Sequence, residues 1–174
     1  MDLLQTMLNR RSVRQYADEP VPKEKLEKIL QAGLAAPTGR NKRPWEFVAV
    51  EDKETLRALS GCRQGAAKML EHAGCAVLVF AHKDETDVWT EDCSIAMSFM
   101  HLMADSLGLG SCWIQGRLRE AEDGRTTEEF CRELLGVPED CALEAILSVG
   151  VLKEHPAARG LSELPMEKVH FERF

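Results

Sequence analysis

An unbroken apolar run at residues 75–81 constrains the fold of this chain more than any other feature of its sequence. The run reads Cys-Ala-Val-Leu-Val-Phe-Ala, with no polar residue at alternate positions. A strand of that composition is buried on both faces, whereas a half-exposed strand alternates apolar and polar residues. We therefore expect a central strand here, in a sheet with helices packed against it. Further strands are predicted at 47–50 and 143–149, and a short strand or turn at 110–114.

Five helices are predicted around these strands from capping residues and from apolar residues at helical spacing. They begin at or next to Asp2, Val21-Pro22, Asp52, Asp92 and Thr126. The apolar residues of the first helix lie on one face, formed by Leu3, Leu4, Met7 and Leu8. The longest helix, predicted to end near Leu107, is apolar on more than one face, so we expect it at the centre of the molecule or at a subunit interface. The mixture of helices and strands, without a repeat or a linker, predicts one α+β or α/β domain spanning 1–174.

Composition excludes several classes of function. The net charge of −7 gives no electrostatic support for binding nucleic acid or an anionic membrane. No apolar stretch is long enough for a membrane span, and the first residues lack a secretory pattern, so we expect a cytoplasmic protein. The six cysteines are scattered singly, which is typical of buried free thiols. Neither they nor the five histidines have metal-ligand spacing, so no metal site is predicted.

The first candidate site is the cluster Arg10-Arg11-Ser12-Val13-Arg14, which follows the first helix. The planar guanidinium forms paired, charge-assisted hydrogen bonds with phosphate, and a serine hydroxyl adds a further donor. If the segment is extended, Arg10, Ser12 and Arg14 lie on one side of it. The same residues could instead form a solvated basic turn that interacts with the helix dipole. Both interpretations remain open from the charge pattern.

Two other segments have unusual composition. Residues 36–45 contain two prolines, a glycine and an asparagine, which fix the shape of a loop and leave backbone groups free to face a ligand. The alternative is an ordinary connection with Trp45 anchored in the core. Residues 107–116 contain three glycines, which would allow the backbone to approach a flat ligand. The spacing of these glycines differs from the dinucleotide fingerprint, and a predicted helix precedes them in place of a strand.

Taken together, these segments resemble the nitroreductase family. The family's R-R-S-x-R start resembles Arg10 to Arg14, with an aromatic residue following at Tyr16. Its proline-rich loop resembles residues 36–47, with Thr38 for serine and Arg43 for glutamine. Its L-G-L-G-S-C-W-I-x-G turn matches residues 107–116 almost completely, and its C-terminal pattern resembles residues 150–173. The resemblance covers nearly the whole chain.

The resemblance implies a nitroreductase-like α+β fold, with a central, mostly antiparallel sheet flanked by helices. It implies a homodimer with FMN at the subunit interface, and residues 152–174 as an exchanged C-terminal arm on the partner subunit. The implied activity is electron transfer from NADH or NADPH to nitroaromatics, quinones or related small molecules by a ping-pong mechanism. Dehalogenation, flavin cleavage, azoline oxidation and non-catalytic FMN binding remain alternatives.

The resemblance also implies roles for individual residues. The phosphate, ribityl chain and pyrimidine side of FMN would be held by Arg10, Arg11, Ser12 and Arg14. The same flavin would be reached from the other subunit by Pro37, Thr38, Gly39 and Asn41. The backbone at Gln115 and Gly116 would approach flavin N5, Arg159 would be a second phosphate ligand, and Arg63 or Gln64 would touch the pyrimidine. No catalytic side chain is implied, because the cofactor carries the chemistry. We interpret 117–126 as a surface loop in preference to a lid, and Trp89 as a core residue in preference to one that stacks on flavin.

Overall fold

The computed structural model describes residues 2–174, in which helices and strands are mixed along the chain. The elements are α1 (Leu3–Asn9), α2 (Lys23–Leu34), β1 (Trp45–Val50), α3 (Lys53–Leu59), β2 (Cys75–His82), α4 (Trp89–Ser106), β3 (Leu109–Gln115), α5 (Thr127–Leu135) and β4 (Cys141–Val151). Single 3-10 turns occur at 39–41, 68–72, 161–163 and 166–168. No helix within residues 2–174 has both the length and the apolar character required to cross a lipid bilayer.

The four strands form one antiparallel sheet in the order β1-β2-β4-β3. Strand β2 is central, and every residue from Cys75 to Ala81 is fully buried, which confirms the predicted strand buried on both faces. Strand β4 lies beside it and is longer than the predicted 143–149. An antiparallel sheet can bury both faces in this way because helices cover each side of it.

Two apolar layers enclose the sheet, and alternate residues of β2 point into each of them. Val77 and Val79 pack with residues of α2 and α4, among them Ile29. Leu78 and Phe80 pack on the opposite side with residues of α3 and α5. This division follows from the two-residue period of a strand. All six cysteines are free and buried, as predicted.

Helix α4 is the longest helix, and it packs against α1, α2 and several strands. Its predicted central position is confirmed, but its predicted start at Asp92 is wrong by one turn, because the helix begins at Trp89. Asp92 does not cap the helix. Its buried carboxylate accepts a hydrogen bond at 2.8 Å from the backbone N–H of Gly39, on a neighbouring loop. Asp92 lies within the first turn of the helix, and its side chain makes a tertiary contact.

The other predicted helix ends agree with the structure. Asp2 and Asp52 cap α1 and α3 by accepting backbone hydrogen bonds at 2.8 Å. Thr126 and Glu129 form a reciprocal capping box at the start of α5, and Gly136 ends that helix in the left-handed conformation. These features are local in sequence, which is why they could be recognised there.

Helix α1 presents most of its apolar side chains to solvent within the single chain. Leu8 is buried, whereas Leu3, Leu4 and Met7 are 67%, 53% and 46% exposed. Leu3 and Met7 line an apolar groove of about 480 Å³ between α1, α2 and α4, together with exposed Phe99 of α4. We call this region the apolar groove. Contiguous exposed apolar surface of this kind marks an interaction site.

After β4 the chain returns to the ends of α1 and α4. The backbone N–H of Arg159 donates to the Leu8 carbonyl at 2.9 Å, and the His155 ring lies 3.1 Å from an Asp105 carboxylate oxygen. Most of the chain from 160 to 174 is exposed, including apolar side chains such as Phe171. The single chain therefore leaves apolar groups of its tail uncovered.

Gly150 near the end of β4 allows the ring of Tyr16 to pack directly on the strand. A Cβ atom at position 150 would lie 2.5 Å from the Tyr16 ring. That ring is buried, and its hydroxyl donates to the Val13 carbonyl at 2.8 Å and lies 2.7 Å from the Ser148 hydroxyl. The ring therefore cannot move aside without losing buried hydrogen bonds.

We expect Gly150→Ala to lower the free energy of unfolding by roughly 1–3 kcal/mol, as overpacking of a core does. The control is Gly160→Ala, because a Cβ at that exposed position meets its nearest atom at an ordinary 3.5 Å. Denaturant unfolding followed by circular dichroism measures both. If the two variants are equally stable, the close contact does not constrain the fold.

Candidate functional site

Residues 10–14 lie beside β3, the edge strand that carries the glycine-rich turn. The backbone N–H of Val13 donates to the Ser111 carbonyl at 2.9 Å, and Ser12 forms a parallel bridge with Ser111. Val13 is buried, while Arg14 is exposed. A cavity of about 560 Å³ opens beside this segment and is lined by Ser12, Val13, Arg14, Gln15, Lys153, Glu154 and Pro156. The sequence-predicted phosphate site thus borders a real cavity.

The close approach of this segment to β3 depends on Gly110. A Cβ at position 110 would lie 2.8 Å from a methyl group of Val13, so a larger residue would push the segment away. Gly108 has a φ of +73°, and a Cβ at Gly116 would meet Leu143 at 2.6 Å. The structure therefore gives each of these glycines a role within the folded chain, and the predicted approach to a flat ligand stays a prediction.

Arg10 is held by a buried histidine that sequence reasoning missed. Its guanidinium lies 2.9 Å from Nε2 of His101, and His101 Nδ1 lies 2.5 Å from the Ser111 hydroxyl. Arginine can only donate, so Nε2 accepts, and the proton of a neutral ring is on Nδ1. Burial, and then the Arg10 charge, lower the pKa of His101 to about 4. The ring is therefore neutral at physiological pH.

Further positive charges gather around Arg10. Its own pKa is lowered, first by burial and then by the charge of Arg159. Arg11 is anchored nearby by donating a hydrogen bond to the Ala157 carbonyl. Arg14 and Arg63 are near enough to the Cys112 thiol to act on its pKa, which burial raises. The structure thus brings the predicted Arg159 together with the arginines of the N-terminal segment, and an anion would relieve their mutual repulsion.

The loop at 36–44 is strained and partly exposed. Arg40, Asn41 and Arg43 all have a left-handed backbone, with φ between +53° and +57°. Residues other than glycine adopt this conformation at a cost, and such strain clusters at functional sites. The Thr38 hydroxyl accepts a hydrogen bond from the Arg43 N–H, while Pro37 is exposed. The loop is therefore fixed in shape and open to a ligand or a partner.

The strained loop lies apart from the group formed by Arg10, Arg11, Arg14 and Arg159, which we call the arginine cluster. The loop is attached to α4 through Asp92, and the cluster through His101. Asp92 and His101 are nine residues apart, which places these two attachment points about 13 Å apart along the helix axis and half a turn apart around it. The predicted ligands Pro37, Thr38, Gly39 and Asn41 therefore do not meet the arginines within one chain.

Gln115 and Gly116 end the edge strand β3. The Gln115 side-chain amide donates to the Glu144 carbonyl at 3.2 Å, and the Gly116 N–H donates to the same oxygen at 3.1 Å. The Gly116 amide is thus already hydrogen-bonded within the chain. Burial raises the pKa of the Glu144 carboxyl, whose Oε2 has no hydrogen-bond partner within residues 2–174.

Comparison with known proteins decides the family of this fold and site. A model of the nitroreductase family matches residues 7–151. This chain belongs to the nitroreductase family. A protein of Archaeoglobus fulgidus, provisionally named an NADH dehydrogenase/NAD(P)H nitroreductase, is 36% identical over 157 residues, covering 88% of this chain and 87% of that protein.

Solved structures confirm the nitroreductase fold. An FMN-dependent nitroreductase from Clostridium difficile R20291 superimposes with a TM-score of 0.95 at 45% identity, covering 98% of this chain and 99% of that one. A protein from Desulfovibrio desulfuricans, provisionally assigned as a nitroreductase and solved in complex with FMN, superimposes with a TM-score of 0.75 at 26% identity, covering 97% of each chain.

Three further predictions can now be placed on this nitroreductase fold. Arg63 and Gln64 line a small cavity with Arg119 and Glu120, near the arginine cluster but on a separate turn. The segment 117–126 is attached to that turn by backbone hydrogen bonds, including Gln64 N–H to the Glu120 carbonyl at 2.9 Å. Trp89 is half-buried and packs against the core, as expected of a core residue.

The residues that sequence reasoning missed are buried polar groups on α4. His101 and Asp92 face the inside of the molecule among apolar neighbours, and Asp105 binds both Asn9 and His155. The one signal in the sequence was a polar residue at a position of the helix expected to be buried. Buried polar groups are nearly always hydrogen-bonded, so such positions indicate a specific partner.

We expect the free energy of unfolding to decrease as the pH is lowered, because the unfolded chain takes up a proton on His101 that the folded chain does not. The decrease from pH 7 to pH 5 should be roughly 2 kcal/mol. The unfolded chain binds the proton near pH 6.5, whereas the folded chain resists it until about pH 4. His101→Gln retains an acceptor for Arg10 but does not titrate. Denaturant unfolding of both proteins at several pH values should show a weaker pH dependence for the variant; parallel curves would show that His101 is not held neutral.

Proposed function

We propose that this chain is an FMN-dependent oxidoreductase that accepts electrons from NADH or NADPH and passes them to nitroaromatics, quinones or related small molecules. The observation that carries the proposal is the arginine cluster beside β3, formed by Arg10, Arg11, Arg14 and Arg159. The names of similar nitroreductases, which include FMN and NAD(P)H, support the same assignment.

The residues present fit the chemistry of FMN. A phosphate dianion matches guanidinium groups that donate paired hydrogen bonds, and Ser12 offers a hydroxyl beside the cavity of about 560 Å³. Arg10, Arg11 and Arg159 would hold the phosphate, while Ser12 and Arg14 would bind the ribityl chain and pyrimidine side.

The remaining groups of the chain position the cofactor and do not react. FMN supplies the two-electron transfer chemistry when bound, so no side-chain nucleophile is needed. The end of β3 at Gln115 and Gly116 would face the N5 edge of the flavin, and hydrogen bonds to Glu144 fix that turn. Donor and acceptor would occupy the same face of the site in turn, which predicts ping-pong kinetics.

The same proposal includes a homodimer in which the partner subunit completes each site. The strained loop and the arginine cluster are attached to α4 at points about 13 Å apart along the helix. The side of the flavin away from the arginines would therefore be bound by Pro37, Thr38, Gly39 and Asn41 of the partner subunit. The apolar groove and the exposed tail at 160–174 would be covered by this association. Residues 152–174 would then form an arm on the partner. Six buried free thiols fit a reducing compartment, consistent with a cytoplasmic protein.

Purified protein is expected to be yellow, and NADH or NADPH should bleach the flavin absorbance under anaerobic conditions until a quinone or nitro compound is added.

Arg14→Ala removes a charge-assisted contact and should weaken FMN binding about tenfold or more. Arg57→Ala, which removes an exposed arginine on α3, is the matched control. Equilibrium binding of FMN measures both. A well-folded wild-type protein that does not bind added FMN would falsify the proposal.

Phe99→Glu should convert the dimer to a monomer, because Phe99 is 40% exposed beside the apolar groove and a buried carboxylate is costly. Leu118→Glu introduces the same charge at a more exposed position away from that groove. Size-exclusion chromatography with light scattering measures the mass, and flavin absorbance shows whether the cofactor is lost together with the partner. A wild-type monomer that binds FMN would contradict the shared site.

A further inference from the structure

Four potential metal-binding or hydrogen-bonding side chains meet at one end of the sheet, away from the arginine cluster. His82 ends β2, Cys141 begins β4, Asp140 precedes it, and Glu46 lies in β1. His82 and Cys141 are paired residues of the two strands, so their side chains are on the same face. Glu46 pairs with Phe80, two positions before His82, and therefore shares that face. The sheet register itself assembles the group.

The distances within this group are short. His82 Nδ1 lies 2.8 Å from Asp140 Oδ2 and 3.6 Å from Cys141 Sγ. The potential ligand atoms of these three residues all lie within 4.8 Å of one another. On the other side of the imidazole, Nε2 lies 3.7 Å from a Glu46 carboxylate oxygen. The two ring nitrogens thus each have a carboxylate nearby, and the Cys141 thiol lies beside the ring, closer to Nδ1 at 3.6 Å than to Nε2 at 4.0 Å.

We propose that His82 Nδ1, Cys141 Sγ and an Asp140 carboxylate oxygen bind one Zn²⁺ ion, with Glu46 as the residue that orients the imidazole. Zn²⁺ accepts a mixed set of sulfur, nitrogen and oxygen ligands, whereas Mg²⁺ and Ca²⁺ require oxygen ligands. We call these three ligands the zinc cluster. Its fourth position would be open to water, because Asp140 is exposed at the surface.

The separation of the sulfur and nitrogen atoms is close to that in a tetrahedral zinc site. With Zn–S near 2.3 Å and Zn–N near 2.0–2.1 Å, a sulfur and a nitrogen ligand are separated by about 3.6 Å. Cys141 Sγ lies 3.6 Å from His82 Nδ1 and 4.0 Å from Nε2, so the half-exposed imidazole must turn for Nδ1 to point at an ion that it shares with the sulfur. The Asp140 oxygen is closer to Nδ1 than about 3.4 Å, the separation expected of two ligands. Because Asp140 is exposed, its carboxylate can move the remaining few tenths of an ångström without disturbing the core.

Glu46 is near enough to orient the imidazole. A histidine that binds zinc commonly donates its second N–H to a carboxylate, which fixes the tautomer and the orientation of the ring. A Glu46 carboxylate oxygen lies 3.7 Å from Nε2, so this exposed side chain needs only a small movement to accept that hydrogen bond. Buried Cys141 contributes a thiol from the interior of the sheet, while the two other ligands approach it from the surface.

The zinc cluster is remote from the Gln115 side of the proposed flavin site, although the backbone N–H of His82 donates at 2.9 Å to the Pro44 carbonyl, at the end of the strained loop. Gln115 at the end of β3 pairs with Ala145, and Cys141 lies four residues further along β4, or about 13 Å. A Zn²⁺ ion there would connect the end of β2 to the loop that leads into β4. Its effect would be to stabilise the sheet, and the flavin chemistry would not depend on it.

The test is isothermal titration calorimetry of the full chain with ZnCl₂, using protein without a histidine tag and with its flavin bound. We expect one Zn²⁺ per chain for the wild type and at least a tenfold weaker affinity for His82→Gln, Asp140→Asn and Cys141→Ser. Glu46→Gln should weaken binding by about 10–100-fold, as loss of an outer-shell partner does. His72→Gln, at an exposed histidine outside the zinc cluster, is the control and should bind like the wild type.

A Co²⁺ difference spectrum identifies the ligands independently of affinity. We expect a thiolate-to-metal charge-transfer band that Cys141→Ser abolishes, with circular dichroism showing that the variant remains folded. Zn²⁺ should also raise the melting temperature of the wild type but not of His82→Gln. A wild type that binds Zn²⁺ no better than His82→Gln would overturn the proposal, and the group would then be a set of surface ion pairs. A Co²⁺ spectrum without the thiolate band would overturn it equally. Neither result affects the flavin assignment, which has its own test.

Discussion

The pairing of the N-terminal segment with edge strand β3 is the interaction on which the site depends. One backbone hydrogen bond, from Val13 to Ser111, and the absence of a side chain at Gly110 bring two distant parts of the sequence into contact. The arginines on either side of Val13 are thereby placed along an edge that would otherwise be free to pair with another strand. The same pairing that completes the edge of the sheet therefore brings the arginines together, which is the surface that we propose binds the FMN phosphate.

The charge of Arg10 is held but not neutralised. Its hydrogen-bond partner is a neutral imidazole, which accepts from the guanidinium without cancelling its charge. Asp105 acts on Arg10 in the opposite sense and raises its pKa, but both of its oxygens are already engaged, one by Asn9 and the other by His155. Burial and the charge of Arg159 outweigh Asp105, so the pKa of Arg10 is lowered and its positive charge is only partly compensated. Uncompensated charge in a half-buried position favours binding of an anion.

The sequence predicted what depends on local pattern and missed what depends on long-range contacts. The buried strand at 75–81 and the cap at Thr126 follow from residues close in sequence, and both were found. The start of α4 was placed at Asp92, three residues after its true start, and no local pattern indicated that Asp92 binds a loop more than fifty residues earlier. His82 and Cys141 are 59 residues apart and meet only through strand register. Residue type alone could not indicate that encounter.

Helix α4 explains why a single chain would leave the flavin site incomplete. It is a rigid rod, so it fixes the separation between the strained loop at Asp92 and the arginine cluster at His101, on opposite sides of the helix. No rearrangement of side chains can bring these two regions together while the helix remains intact. A second copy of the chain can, if the apolar groove and the exposed tail pack on it. The left-handed backbone at Arg40 and Asn41 would then fix the shape of a loop that contacts the flavin only between subunits.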